Sequence, residues 1–184
     1  MIKKNLPIVL CMLLAVVFFL TLVRFETVDE HYRDRSLQTG LNVGTVTLTI
    51  RCDTVLEDEE RLRNLKETGV PIPEDGVILE QTSYKLQEGE SVFDLLQRAV
   101  RENRIQLEFQ GADMNGYGSA YIQGIHYLYE FACGELSGWT YTVNGEFPGY
   151  GCSQYMLKDG DEVAWLYTCD LGHDLEMPAD MSCH

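Results

Sequence analysis

Large aromatic side chains crowd the stretch from Gly116 to Tyr155 and are interleaved with glycines. Tyrosine and tryptophan offer flat apolar area with a polar edge, the surface that suits a macrocycle or a partner protein. Tyr117, Tyr121, Phe147 and Tyr150 fall in Gly-rich or Pro-containing segments, and loops are where binding residues concentrate. With Trp139 and Tyr141 they form the candidate ligand-contacting set. Trp165 and Tyr167 alternate with Val163 and read instead as core residues of a strand.

Other chemistries find less support. His31, His126, His173 and His184 are widely separated and form no His-Glu-x-x-His pair. His126, between Ile125 and Tyr127, reads as an ordinary strand residue rather than a metal ligand. There is no Gly-x-Ser-x-Gly elbow and no phosphate loop, and Gly116-Tyr117-Gly118 is too short to be one. The chain is not read as an enzyme, and no covalently bound cofactor or metal is expected. Asp159-Gly160-Asp161-Glu162 lacks the spaced ligands of a calcium loop and reads as a hairpin turn.

Cys52, Cys133, Cys152 and Cys169 are spread through the globular part without a Cys-x-x-Cys knuckle, which favours two disulfide bridges over a zinc site. Cys183 lies in a polar tail. Cys11 sits inside an apolar run without the small residues that precede a lipoprotein acceptor.

That run, Leu6 to Val23, follows Lys3 and Lys4 and has the length of a membrane-crossing helix. Acidic residues come after it, so the positive-inside bias keeps the N-terminus cytoplasmic and the rest extracellular. No Ala-x-Ala-like site is present, and an uncleaved single-pass anchor in the cell membrane is expected; cleavage would make the domain secreted. The net charge is −15, and without Lys3, Lys4 and Arg24 the remainder has 11 basic against 29 acidic residues, about −18. Such acidity excludes nucleic acid as a partner, because phosphate binding needs clustered Lys and Arg.

The chain divides into an anchor or signal segment (1–25), a polar spacer (26–44), one domain (45–172) and a polar tail (173–184). Thr45 to Cys52 alternates as a half-buried strand with Val46, Leu48, Ile50 and Cys52 inward. Glu57 to Lys66 is a charged, helix-permissive surface insertion, and a second strand is expected over 76–85. Ser91 caps a helix whose apolar face is Val92, Leu95, Leu96, Ala99 and Val100, with Asp94 making a near capping box. Trp139 to Val143 alternates ahead of Asn144-Gly145, a two-residue hairpin signal, and Glu162 to Cys169 is the last strand.

This order resembles a β-grasp. Three segments, Gly89-Glu90-Ser91-Val92-Phe93-Asp94-Leu95-Leu96, Gly138-Trp139-Thr140-Tyr141-Thr142-Val143-Asn144-Gly145 and Asp159-Gly160-Asp161-Glu162-Val163-Ala164-Trp165, are similar to bacterial surface domains of unknown function grouped with the C-terminal domain of transcobalamin and intrinsic factor. The resemblance implies an α+β fold: a β-grasp-like mixed sheet on one main helix, stapled by disulfides and preceded by a transmembrane helix. In a β-grasp the first and last strands are neighbours, which implies pairing of Cys52 with Cys169 and leaves Cys133 with Cys152. It further implies a membrane-tethered binding module for a corrinoid (cobalamin-like) ligand, working with an uptake transporter or a helical cobalamin-binding partner. The alternative is a structural or adhesive domain that docks another protein.

Overall fold

A computed structural model describes residues 42–176. The apolar run 6–23, Cys11, His31, Cys183 and His184 lie outside these residues. Among the described residues no helix is long and apolar enough to cross a membrane.

The domain is α+β with two sheets. Strand β1 (Asn42–Arg51) carries the inward series read from the sequence: Val46, Leu48, Ile50 and the following Cys52 are all buried. It pairs antiparallel with β2 (Val77–Gln87). Between them a 3-10 turn (Asp53–Glu57) leads to α1 (Glu59–Glu67). Asp58 caps α1, its Oδ1 accepting from the Glu60 and Arg61 amides at 3.0 Å. The helix is not only a surface insertion, because Leu65 is buried in a satellite core with Cys52, Val55, Ile72 and Tyr167.

Helix α2 (Val92–Asn103) begins where the Ser91 signal places it. The capping box is complete: Ser91 Oγ accepts from the Asp94 amide at 3.2 Å, and the Ser91 amide donates to Asp94 Oδ2 at 3.0 Å. Val92, Leu95, Leu96, Ala99 and Val100 enter the main core with Leu48, Ile50, Val163 and Trp165. Burying that face, at roughly 25 cal/mol per Å² of apolar area, fixes the helix against the sheet.

The remaining strands are β3 (Leu107–Gln110), β4 (Tyr121–Ile125), β5 (Leu128–Tyr129), β6 (Gly138–Val143) and β7 (Glu162–Thr168). The larger sheet has the order β2-β1-β7-β6, with β1 and β7 parallel and the other pairs antiparallel. The smaller one has the order β3-β4-β5. A single mixed sheet was expected; the short second sheet forms because β4 turns back on β5 at His126-Tyr127. Both residues take positive φ, 54° and 63°, so His126 is a turn residue and not a strand residue. The turn is held by Gln106, whose carbonyl accepts from the His126 amide at 2.8 Å and whose Oε1 accepts from the Tyr127 amide at 2.7 Å.

Asn144 and Gly145 do form a two-residue turn, with φ 55° and 81° and a bridge between Val143 and Glu146. The strand that pairs with β6 is β7, reached only after a long connection. Asp161 ends that connection: it accepts from Asn144 Nδ2 at 3.0 Å and from the Lys158 amide at 2.9 Å, which is a turn-forming role. At the far end of β7, Asp174 accepts from the Thr168 hydroxyl and, at 2.7 Å, from the Cys169 amide, so the first residues of the polar tail fasten the strand end.

The expected bridges are absent. Cys52, Cys133, Cys152 and Cys169 are free thiols. The pairing of Cys133 with Cys152 fails because the two sit in different cores: Cys152 is buried beside Ala120, to whose carbonyl its thiol donates at 3.4 Å, whereas Cys133 packs on the satellite core. Cys52 and Cys169 do share that satellite core, with Cys133 packed against it, but their thiols are not bonded.

Candidate functional site

One face of the larger sheet carries a grid of aromatic rings. Trp139 pairs with Tyr167 and Tyr141 with Trp165 across β6 and β7. The rings meet at 5.2 Å edge-to-face in the first pair and at 5.4 Å, tilted by 34°, in the second. Beside the Tyr141 end of this grid lies a cavity of about 530 Å³. That volume falls in the usual range for small-molecule sites.

All six candidate residues, Tyr117, Tyr121, Trp139, Tyr141, Phe147 and Tyr150, line this one cavity. Their settings differ. Tyr141 is buried and forms part of the floor, while Tyr117 and Tyr150 are 68% and 51% exposed and stand at the mouth. Tyr117 stacks on Tyr121 at 5.7 Å, and Tyr150 stacks on Tyr155 at 5.7 Å with planes 12° apart. Two stacked tyrosine pairs thus flank the opening.

The mouth loops are stitched to one another and to the helix. Asn115 Nδ2 donates to the Gly111 and Ser119 carbonyls at 2.9 Å, and its Oδ1 accepts from the Tyr117 amide at 2.9 Å. The Ser119 and Ser153 hydroxyls lie 2.9 Å apart, and Gln154 Nε2 donates to the Gly118 carbonyl at 3.0 Å. Gly151 is required where these loops cross, since a Cβ there would run into the Ser119 side chain. The Val92 and Phe93 amides of α2 donate to the carbonyls of Tyr155 and Cys152 at 3.0 and 3.1 Å. These amides at the helix N-terminus are therefore spent on the cavity's own loop.

The cavity wall carries no charge: every residue lining it is aromatic, aliphatic, hydroxyl, thiol, amide or glycine. Its polar groups are largely committed. Tyr121 donates its hydroxyl to Glu130, and Tyr141 donates to the Tyr150 carbonyl at 2.7 Å. Burial pushes both phenols above their ordinary range, with the Glu130 carboxylate adding to the effect at Tyr121. They stay neutral donors across physiological pH. Burial likewise pushes the Cys152 thiol up to about 12, which holds it protonated and a poor nucleophile. The Trp165 indole N–H is buried and has no hydrogen-bond partner among the described residues.

Sequence reasoning missed Trp165 and Cys152 as cavity residues. Both have the signature of core positions, which they also are, and only the placement of the second sheet turns one edge of that core into a cavity floor. Ser119, Gln154 and Gly151 gave no signal in isolation. His126 and His173 are not among the lining residues, and among the described residues no group of His, Cys, Asp or Glu could hold a metal ion.

Residues 89–168 match the family described as a domain of unknown function, DUF4430; the match covers less than half of the chain and runs from the turn before α2 to the end of β7. No curated protein matches the chain. Among solved structures it is similar to haptocorrin in complex with Cbi, at 12% identity over 68% of this chain with a TM-score of 0.47. The matched part spans 25% of the haptocorrin chain. It is also similar to a protein of Ruminococcus gnavus ATCC 29149 carrying a metal-binding designation, at 13% identity over 68% of this chain and 96% of that one, with a TM-score of 0.39.

Proposed function

We propose that this β-grasp-like domain is a non-enzymatic ligand-capture module, held at the outer face of the cell membrane by the apolar segment 6–23. Its cavity takes part of a bulky, planar ligand without net negative charge, of the corrinoid kind. The observation that carries this reading is the uncharged aromatic cavity flanked by two stacked tyrosine pairs. Such a wall offers stacking area and weak polar edges, and nothing that would neutralise an anion. The resemblance of the segments around Ser91, Trp139 and Asp161 to the transcobalamin group supports a corrinoid among planar ligands.

At about 530 Å³ the cavity can seat an edge or one face of such a macrocycle and not the whole, so a second protein would cover the rest. A helical corrinoid-binding partner or an uptake transporter would supply that cover. Isothermal titration of the purified protein with cobinamide and with cobalamin tests the reading. Saturable heat with either compound, lost in Tyr141→Ala, supports direct capture; no heat with both, in a folded protein, removes it.

A docking or adhesive role has its own observation: Tyr127, Phe131 and Leu136 are 56%, 60% and 47% exposed on the turns that follow β4 and β5. These residues lie outside the cavity lining, so a protein-docking function would survive cavity mutations that abolish ligand binding.

A further inference from the structure

Beyond the end of β7, two turns bring together three apolar residues, each directly preceded by an acid: Glu130-Phe131, Glu135-Leu136 and Asp170-Leu171. Phe131, Leu136 and Leu171 are 60%, 47% and 44% exposed. Backbone hydrogen bonds tie their segments into one surface: the Phe131 amide donates to the Ser137 carbonyl at 2.9 Å, and the Leu171 amide to the Leu136 carbonyl at 2.8 Å. The first turn closes on buried Ser137, whose Oγ accepts from the Cys133 amide at 3.0 Å and donates to the Gly134 carbonyl at 2.8 Å. Thr168 holds the second, its Oγ1 accepting from the Asp170 and Gly172 amides at 3.1 and 2.6 Å. The backbone is thus fixed while the apolar side chains stay in solvent. Phe131 and Leu171 also have φ of 63° and 48°, a left-handed conformation that bulky residues avoid. Apolar groups held outward on a strained backbone mark a surface kept for a partner.

We infer that this patch docks a partner protein through an apolar segment flanked by Lys or Arg. Charge complementarity selects that occupant. No Lys or Arg occurs between Arg104 and Lys158, or after Lys158. Glu135 and Asp170 are exposed, and the ion pairs among the described residues lie elsewhere. Arg61, on the helix that packs against the same satellite core, already pairs with Asp58 at 4.0 Å. The apolar centre therefore carries a negative rim. A second copy is disfavoured, because a two-fold contact would set the same acids against one another in a chain of net charge −15.

The chain enters the domain at Asn42, and β1 runs parallel to β7, so the patch lies at the end of the sheet remote from that entry. None of its three apolar residues lines the cavity. The inference rests on the docking role stated above and is independent of ligand capture.

The test is fluorescence anisotropy of a labelled leucine-lysine repeat peptide with the full chain in phosphatidylcholine nanodiscs, empty nanodiscs giving the blank. Phe131→Asn and Leu171→Asn remove the apolar groups while tolerating positive φ, so melting temperatures should hold. Each should weaken the peptide roughly tenfold. Glu135→Lys with Asp170→Lys should weaken it further and favour a leucine-glutamate peptide, whereas Glu80→Lys with Glu88→Lys, remote in the fold, and Tyr117→Ala in the cavity should change little. Equal binding by the wild type and the patch variants, or none above the blank, overturns the docking role with the inference. A preference of the wild type for the leucine-glutamate peptide, or self-association that Phe131→Asn abolishes, overturns the basic partner alone.

Discussion

Trp139 and Tyr167 stand edge-to-face, 5.2 Å between centroids, and join the cavity wall to the satellite core. Trp139 lines the cavity and donates its indole N–H to the Leu128 carbonyl at 2.8 Å. Tyr167 donates its hydroxyl to the Tyr129 carbonyl at 2.7 Å and lies 3.1 Å from Ser137 Oγ. Both side chains therefore donate to successive carbonyls of β5, which clamps the aromatic pair to that strand.

Removing the Tyr167 hydroxyl isolates one half of that clamp. Tyr167→Phe keeps the ring and removes one of the two donors to the Tyr129 carbonyl, which still accepts from the Ala132 amide at 3.3 Å, and should lower stability by about 1 kcal/mol in urea denaturation. The ring contact with Trp139 is retained, so ligand heats at the cavity should match the wild type; a change in both would mean the hydroxyl shapes the cavity wall.

The two mouth tyrosines give a cleaner test of binding than any floor residue. Tyr117 and Tyr150 are exposed, so Tyr117→Ala and Tyr150→Ala should leave the melting temperature within a degree or two of wild type. Each should weaken cobinamide binding by roughly tenfold if it stacks on the ligand, as read by titration calorimetry.

Glu90 is the most deeply placed acid at the start of α2, its side chain only 3% exposed. It accepts from Arg98 Nε and Nη2 at 3.0 and 2.8 Å and from the Gln87 amide at 3.0 Å. Arg98→Ala leaves this carboxylate buried without its cation and should destabilise by about 3 kcal/mol. Replacing both, Glu90→Gln with Arg98→Ala, should recover part of the loss, because no charge is then stranded; equilibrium unfolding of the wild type, the two single variants and the double variant reads the coupling directly.

Alkali should unfold the domain through its phenols. Burial is the largest cause of the raised values of Tyr121, Tyr141 and Tyr167, each above the ordinary 10.0. The native state thus holds protons that the unfolded chain releases. That stability is fully present below about pH 10 and is lost as pH rises beyond it toward the folded-state values. Absorbance at the phenolate band should show these three lagging behind exposed tyrosines, with the stability curve turning down above about pH 10; simultaneous titration of all ten tyrosines in a folded protein would contradict it.

Gly76 is a backbone requirement. It has a φ of +70°, a Cβ there would lie 2.5 Å from the Asp53 Cα, and its carbonyl accepts from the Cys52 amide at 2.7 Å. Gly76→Ala should lose at least 2 kcal/mol in denaturant unfolding, whereas Gly69→Ala, with open space around its Cβ, should lose only the price of its own positive φ, about 1 kcal/mol.

What could be read from the sequence was what depends on neighbours along the chain. The alternation of β1, the Ser91 cap and the apolar face of α2 are local patterns, and all three are where the sequence puts them. Of the six cavity aromatics, Trp139, Tyr141, Phe147 and Tyr150 are kept close by β6 and the segment after it, whereas Tyr117 and Tyr121 come from β4 and the loop before it and join them only through tertiary packing. Pairing is different. Asn144-Gly145 signals a turn but cannot say that β6 will take β7 as its partner. The His126-Tyr127 turn carries neither Gly nor Asn, so it gave no sign of the second sheet. Cysteine partners depend on which core each segment joins, and nothing in the spacing of Cys133 and Cys152 reveals that.

The parallel pairing of β1 with β7 has a kinetic meaning. The last strand of the larger sheet lies between the first and β6, so neither has its inner partner until the chain has run through to residue 168. Until then β1 and β2 are a two-stranded ribbon, too small to hold a core, and the cavity has no floor. Loop-closure entropy has to be overcome before the central contacts form, which places folding on the slow side, from milliseconds to seconds. The cavity therefore comes into being only in the last step of assembly, together with the core beneath it.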